Sequence, residues 1–442
     1  MKDDRPEWTD EEIESAAMDI ASSRPTLSIV PEGFVSNDWQ VKLIRRQVGK
    51  KSIICRRPEN VNITLQLCPD WAGRVWYDEH ANRTMVRDPP WLDMNRPSKQ
   101  DSGDAEWTDS DSVRLSAWIQ EKVDVELEMS VDDIDRGVEI AAKANMRCPF
   151  REYLEGLQWD GVGRLDAWLT DYLNAEPGEY TSNTGRWWLL SAVARTYQPG
   201  CKADLVLILE GKQGTKKSTA LATLVGQRWF ADTPVDIGSK DAYLALEGIV
   251  IFELAELDSL RRADVGAAKA FFSSQFDTFR PPYGRRTVKM PRRCVFAATV
   301  NPSAPYLLDP SGARRYLPIK CGEGEIEPLA KMRDQLWAEA VVKYKAGMKW
   351  YPENTEQMQL VEDNQDSRTE SDAWHEILAL WVEGRDAISM VDLLEQALKI
   401  EKANFDRQSE IRVGRIMRKL GFERKRQTTG ARAWRYIRNE ST

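Results

Sequence analysis

Along residues 203–322, short continuous apolar runs alternate with segments of helical period. Runs such as DLVLIL, GIVIFE and RCVFAAT, each closed by polar residues, predict buried strands at 204–209, 248–253 and 293–299. Strands interleaved with helices predict a parallel α/β core. Ahead of it, from about 111 to 198, apolar positions recur at helical spacing in SVRLSAWIQEKV, VDDIDRGVEIAAKA, RLDAWLTDYL and GRWWLLSAVARTY. Residues 36–92 instead carry alternating segments, NITLQL, GRVWYDE and RTMVRD, set apart by Pro, Gly and Asn. They predict a small β-containing unit. An acidic helix is expected at 8–21, and 88–111 reads as a loop by composition.

After the core, EPLAKMRDQLWAEAVVKYKAG predicts a helix, and the polar stretch 353–372 predicts a connector. Three helical patterns and a short strand pair then predict a C-terminal winged helix. The expected division is an N-terminal α+β region (1–110), a helical domain (111–200), the α/β core (201–350), a linker (351–372) and a basic winged-helix-like domain (373–442). The N-terminal part lacks a close carboxylate pair on an identified strand and holds one histidine, His80; a collar, oligomerisation or DNA-binding role is expected for it.

Composition narrows the classes. No apolar run approaches the roughly 18 residues of a membrane span, and the first residues are acidic without a signal-peptide core. The six cysteines are scattered, with no C-x-x-C pair, and there are two histidines. A zinc site or disulfide framework is therefore not expected, and a bacterial cytoplasm fits. The net charge of −8 conceals an asymmetry: residues 407–442 hold eleven Lys/Arg against three Asp/Glu. Such a tail is either a solvated helix face or a nucleic-acid surface.

The candidate chemistry begins at GKQGTKKST. Gly211, Gly214, Lys217 and Ser218 occupy positions one, four, seven and eight of G-x-x-x-x-G-K-[ST], between an apolar run and a helical pattern. In such a loop backbone N–H groups and a helix N-terminus face phosphate oxygens, the lysine reaches the terminal phosphates and the hydroxyl ligates Mg²⁺. Gln213, Thr215 and Thr219 complete the loop and first turn. Lys216 stands where the second glycine is usual, and the alternative is a Gly/Lys-rich helix start of no special function. Glu253 and Glu256 end the second apolar run, where carboxylates can hold Mg²⁺ and orient a water. The third run ends in Thr299 and Asn301, an amide placed to sense a γ-phosphate. Arg314 and Arg315 follow a turn; paired arginines are either surface ion pairs or an arginine finger for a neighbouring subunit. Between the second and third runs, a helix carrying Lys269 leads to Asp277 and a hairpin turning near Pro282-Tyr283-Gly284. Arg285, Arg286 and Lys289 make that hairpin a candidate grip on single-strand phosphates.

Together, PFREYLEGLQWDGVGRLDAWL, LEGKQGTKKST, IFELAEL, KAFFSSQFDTFRPPYGR and TVNPSAPYLLDPSGARRYLPI resemble the virulence-associated E family. That family is a phage and mobile-element branch close to superfamily 3 helicases within the AAA+ ATPases. The resemblance covers roughly residues 145–325. It implies Lys217 and Ser218 as Walker A residues, Glu253 with Glu256 as the acidic Walker B pair, and Asn301 as sensor 1. It also implies a finger among Arg314 and Arg315, and a DNA-tracking hairpin within a hexameric pore. Lys216 departs from the family pattern.

In the basic tail, SEIRVGRIMRKLGF is the expected recognition helix, with Arg407, Arg412, Arg415, Arg418 and Lys419 near phosphates and Ile411, Val413, Ile416, Met417 and Leu420 in the core. Arg424, Lys425, Arg426 and Arg432 lie on the expected wing; interdomain or protein docking is the other use of this surface. The seventeen tryptophans, including Trp187 and Trp188, are expected mostly in cores or subunit contacts. The favoured function is an ATP- and Mg²⁺-dependent, ring-forming DNA helicase of a phage or mobile genetic element. The alternative is an ATP-switched DNA-binding assembly protein (origin binder, annealer or loader) that does not unwind. A third reading is a nucleotide-regulated transcription factor.

Overall fold

The structure, a computed structural model, describes residues 39–91, 103–255, 265–280, 287–301, 315–366, 373–426 and 434–438. They fall into two compact units, the first reaching residue 366 and the second starting at 373. The acidic helix expected at 8–21 lies outside the described residues.

The first unit opens with the strands β1 (Arg45–Val48) and β2 (Lys51–Ile54) and the helix α1 (Pro58–Leu67). The last of these corrects the reading of NITLQL as a strand. Pro58 opens the helix and Glu59 lies in its first turn, both favourable where four N–H groups lack partners. Asn60, Val61, Thr64 and Leu65 are the buried positions, a helical spacing that the local alternation concealed. β3 (Val75–Asp78), β4 (Arg83–Arg87), β5 (Asp104–Glu106) and β6 (Met146–Arg147) form a sheet of order β5-β4-β3-β6. Thus 88–111, read as a loop, contains β5 and the start of α2 (Asp109–Lys122). α3 (Val131–Lys143) is capped by Ser130, whose side chain accepts from Asp133 N–H. It crosses α1 at Gly137, where a Cβ would stand 2.4 Å from that of Val61.

The helices α4 (Pro149–Gly156), α5 (Trp168–Leu173) and α6 (Glu179–Tyr197) lead into the α/β core. α6 is buried on nearly every side, as a helix enclosed by a core must be. Trp187 and Trp188 both lie inside, and Trp188 Nε1 donates to Phe296 O at 2.8 Å. The core sheet has β7 (Val206–Glu210), β8 (Phe230–Ala231), β9 (Ile251–Ala255), β12 (Val295–Val300) and β13 (Tyr316–Lys320), in the order β13-β7-β12-β9-β8, all parallel. The three predicted strands exist, beginning two or three residues later than expected. β13 carries Pro318, which weakens its strand signal; as an edge strand it tolerates the missing N–H. α7 (Lys217–Val225) follows β7, α8 (Lys240–Leu244) follows β8, and α9 (Val265–Ser273) leads to the antiparallel pair β10 (Phe276–Phe279) and β11 (Val288–Pro291). α10 (Ile326–Lys345) packs against α6 and α7. Residues 355–366, polar enough to read as a connector, form α11 (Thr355–Asp366), with Val361 buried in the main core. No helix among the described residues is long and apolar enough to cross a membrane.

The second unit comprises α12 (Ala373–Trp381), β14 (Ala387–Ser389), helical segments over Met390–Asp392 and Leu393–Ala397, α13 (Arg407–Lys419), β15 (Phe422–Arg426) and β16 (Trp434–Arg438). Its antiparallel sheet runs β14-β16-β15. Val413, Ile416 and Met417 of α13 are buried as expected, but Ile411 is 48% exposed and Leu420 is half-buried. Ile411 lies two residues from Val413, which on a helix points away from it.

Candidate functional site

β7 delivers the loop 211–216 at the C-terminal edge of the parallel sheet, where ligands of open α/β sheets bind. Gly211 N–H donates to Val300 O of the neighbouring β12 at 3.0 Å, and Gly324 N–H donates to Thr215 O at 3.0 Å. The loop is thus sewn to the ends of two flanking segments. Gly214 has φ +84 and Lys216 φ +61, ψ 24. Lys216 therefore keeps the left-handed backbone for which glycine is the usual choice. Its ammonium points out to Glu323 at 3.0 Å, and that carboxylate holds it above its ordinary pKa range. The added side chain leaves the loop open because it is directed sideways.

Lys217 is the first residue of α7 and is 8% exposed. Its ammonium donates to Gly211 O at 2.9 Å and Lys212 O at 2.8 Å, spanning the loop from inside. Burial lowers its pKa. Gln213 and Gly214 are exposed at the loop's crown, Thr215 Oγ1 donates to Lys212 O at 2.9 Å, and Thr219 faces solvent on α7. Ser218, next along the helix, donates its hydroxyl to Glu253 Oε1 at 2.7 Å. Thr299 donates to the same oxygen at 2.6 Å.

Glu253 is 1% exposed, and burial raises its pKa against the two hydroxyl hydrogen bonds that lower it. Register explains the trio. Ala297 lies directly opposite Glu253, so its small side chain leaves room, and Thr299 reaches in from the diagonal position. Glu253 Oε2 is buried without a hydrogen-bond partner. An orphaned carboxylate oxygen beside a serine hydroxyl at a helix N-terminus fits a hard divalent cation held with phosphates. Asn301 follows β12 and is exposed. Glu256, its expected partner carboxylate, lies outside the described residues.

Arg315 precedes β13, at the opposite end of the sheet from the loop. Its Nε donates to Ser273 Oγ at 2.9 Å and lies 3.3 Å from Asp204 Oδ2. Arg314 lies outside the described residues.

Residues 154–370 match the description "Virulence-associated protein E-like domain". Over this stretch the chain is similar to that domain family, and the stretch holds the loop, Glu253, Thr299 and Arg315 alike. Solved structures of the NrS-1 C-terminal region, in apo form, are similar at low level. One of residues 305–718, the A form, gives a TM-score of 0.43 at 14% identity, covering 87% of this chain and 100% of that one. Another gives 0.41 at 13% identity, covering 82% and 95%. No curated protein matches.

Within residues 154–370, β10 and β11 are the arms of the expected hairpin. Arg292 donates its Nε to Asp277 Oδ2 at 3.0 Å, a buried pair at the base of the arms. Lys289 is exposed, its ammonium 4.4 Å from the centre of the Phe276 ring. Arg285 and Arg286 lie outside the described residues.

In the second unit Arg407, Arg412, Arg418, Arg424, Lys425 and Arg426 are all exposed. Arg412 lies over the Trp374 ring at 3.9 Å and Arg424 over the Trp434 ring at 5.2 Å. Lys425 pairs with Glu423 at 2.9 Å. The side chains of Arg415 and Lys419, and all of Arg432, lie outside what is described. Two site residues were not assigned from sequence: Thr299, which binds Glu253, and Glu323, which holds Lys216. Register alone brings the first in, and the turn after β13 the second.

Proposed function

We propose that this chain is an ATP-hydrolysing motor of the AAA+, superfamily 3 type, working on DNA in the replication of a phage or mobile genetic element. The meeting of Ser218 with Glu253, beside Lys217 at the ends of parallel strands, carries this reading. ATP would take the cradle of 211–219, its terminal phosphates displacing the loop carbonyls from the Lys217 ammonium. When bound, Mg²⁺ would neutralise phosphate charge, held through Ser218 and Glu253. Glu253 keeps one buried oxygen without a hydrogen-bond partner, while Thr299 fixes the carboxylate's orientation. Glu256 and Asn301 are the candidates for orienting water and sensing the γ-phosphate.

Residues 201–350 are the proposed motor core and 373–442 a winged helix. The N-terminal region is assigned a collar role, and the setting is the bacterial cytoplasm. A neighbouring copy in a hexameric ring would supply the finger. The engagement of Arg315 with Asp204 and Ser273 favours Arg314 for that part. The hairpin 276–291 would contact single-stranded DNA through Arg285, Arg286 and Lys289, and the second unit would engage duplex or fork through its exposed arginines.

A second reading, an ATP-switched DNA-binding assembly protein, is favoured by Lys216. A loop braced by Lys216 against Glu323 suits slow turnover better than rapid cycling. Strand displacement on forked DNA with ATP separates the two: a motor unwinds in proportion to its hydrolysis, whereas a switch binds DNA in the ATP state and displaces nothing.

A further inference from the structure

The nucleotide site leaves unused a strongly charged feature of the first unit. Residues 42–57 contain seven Lys/Arg and no Asp/Glu, within a chain of net charge −8. β1 and β2 fold this run into a two-stranded antiparallel ribbon that joins no larger sheet among the described residues. A pair of four-residue strands is marginal alone, and here one buried side chain stabilises it. Asn60, 1% exposed on α1, accepts from Ile44 N–H at 2.7 Å and donates to Ile44 O at 3.0 Å and Cys55 O at 2.8 Å. A single amide thus clamps both arms at their base, while Leu43 and Ile54 enter the core.

The part that projects is cationic. Arg45, Arg46, Lys50, Lys51 and Arg57 are exposed, and none has a carboxylate partner among the described residues. Arg56 donates to the Glu126 carbonyl at 3.3 Å, and Arg46, Arg56 and Arg57 line one cavity with Asp124 and Glu126, which Lys50 and Lys51 do not line, so the acidic segment lies beside the ribbon's base and not at its tip. The turn Gly49-Lys50, with Lys51 opening β2, puts two ammonium groups at the crown, and Gly49, at φ +62, permits the tight reversal. Four like charges on so small a ribbon repel one another, and phosphates would relieve that cost.

We propose that the 42–57 ribbon is a duplex-DNA docking element, gripping the sugar-phosphate backbone without reading sequence. A two-stranded ribbon fits the wide major groove of B-form DNA, whereas the deep, narrow A-form groove excludes it. Most of its exposed side chains are point charges and forks suited to phosphate, with Gln47, Val48 and Ser52 among them. The docking requires no nucleotide turnover and is separate from the motor assignment.

The test is anisotropy of a labelled duplex of about 20 base pairs with the full chain, without nucleotide, across about 50–200 mM salt. The variant combines Arg45→Ala, Arg46→Ala, Lys50→Ala and Lys51→Ala, all surface changes, with its melting temperature compared to wild type. Affinity should fall about tenfold or more, and the slope of log K against log salt should shrink by about 2–4. The charge-preserving Arg45→Lys/Arg46→Lys variant should bind nearly as wild type. Unchanged duplex affinity and slope in the quadruple variant would overturn the proposal. So would an equal loss for duplex RNA, or a loss confined to phosphatidylserine vesicles. A melting temperature lowered equally in both variants, with equal loss of binding, would likewise count against it, because charge would then not be the cause.

Discussion

The Ser218 hydroxyl and the Glu253 carboxylate stand 2.7 Å apart, joining the first turn of α7 to the middle of β9 in one site. Glu253 is buried with one oxygen unpartnered, so as a charged group it costs the unliganded fold stability. Its folded pKa lies above the ordinary 4.5 because of burial. The native state therefore binds the proton more tightly, and stability falls as pH rises through that raised value. Glu253→Gln should stabilise the unliganded protein by about 1 kcal/mol near neutral pH and lose ATP hydrolysis. The stability gain should close below pH 4.5, where the unfolded carboxyl is protonated as well. Urea titrations at the two pH values check the sign.

Lys216 holds a left-handed backbone and a surface pair with Glu323. Lys216→Gly removes the steric cost of a Cβ at positive φ. It should raise the melting temperature by a few degrees, retain ATP binding and speed turnover. Glu323→Ala, which frees the lysine without changing the backbone, should speed turnover with little change in melting. Steady-state ATPase assays beside thermal melts separate backbone strain from the ion pair.

The two neighbouring arginines should part company. Arg315→Ala leaves Asp204 and Ser273 without their partner, so it should lower the melting temperature along with activity. Arg314→Ala should abolish hydrolysis while sparing both nucleotide binding and melting temperature. Mixing inactive Arg314→Ala with inactive Lys217→Ala subunits should restore partial activity, since each supplies what the other lacks.

His80 fastens the N-terminal sheet to the core: its Nε2 donates to Ile249 O at 3.0 Å and its carbonyl accepts from Gly248 N–H at 3.1 Å. Burial and the nearby Arg293 lower its pKa to about 4 from 6.5. The unfolded chain takes up the proton first on acidification, so stability present above pH 6.5 is lost as pH falls toward 4. A shift of that size corresponds to about 3 kcal/mol at most. His80→Gln should flatten this stretch of the stability curve, measured by denaturant titration at stepped pH.

Much of this arrangement is legible along the chain, because a Gly- and Lys-rich loop between a strand and a helix is a local motif. Lys217, Ser218 and Glu253 need only spacing and an apolar run to be found. Thr299 is different: its place depends on which residue of β12 lies diagonal to Glu253, a matter of register. Arg315 is drawn to Asp204 only once β13 pairs with β7. NITLQL misleads because a short helix with buried positions one turn apart can alternate by chance. Pro318 hides an edge strand, where proline is tolerated. The stretch 355–366 hides a helix anchored by few apolar residues, chiefly Val361.

The most direct measurement is equilibrium binding of a fluorescent ATP analogue, with and without Mg²⁺, to wild type, Lys217→Ala and Ser218→Ala, followed by phosphate release. Wild type should bind more tightly with Mg²⁺ and hydrolyse. Lys217→Ala should lose binding about a hundredfold and hydrolysis altogether, and Ser218→Ala should lose the Mg²⁺ dependence. Wild-type binding and turnover by the Lys217→Ala protein would contradict the account.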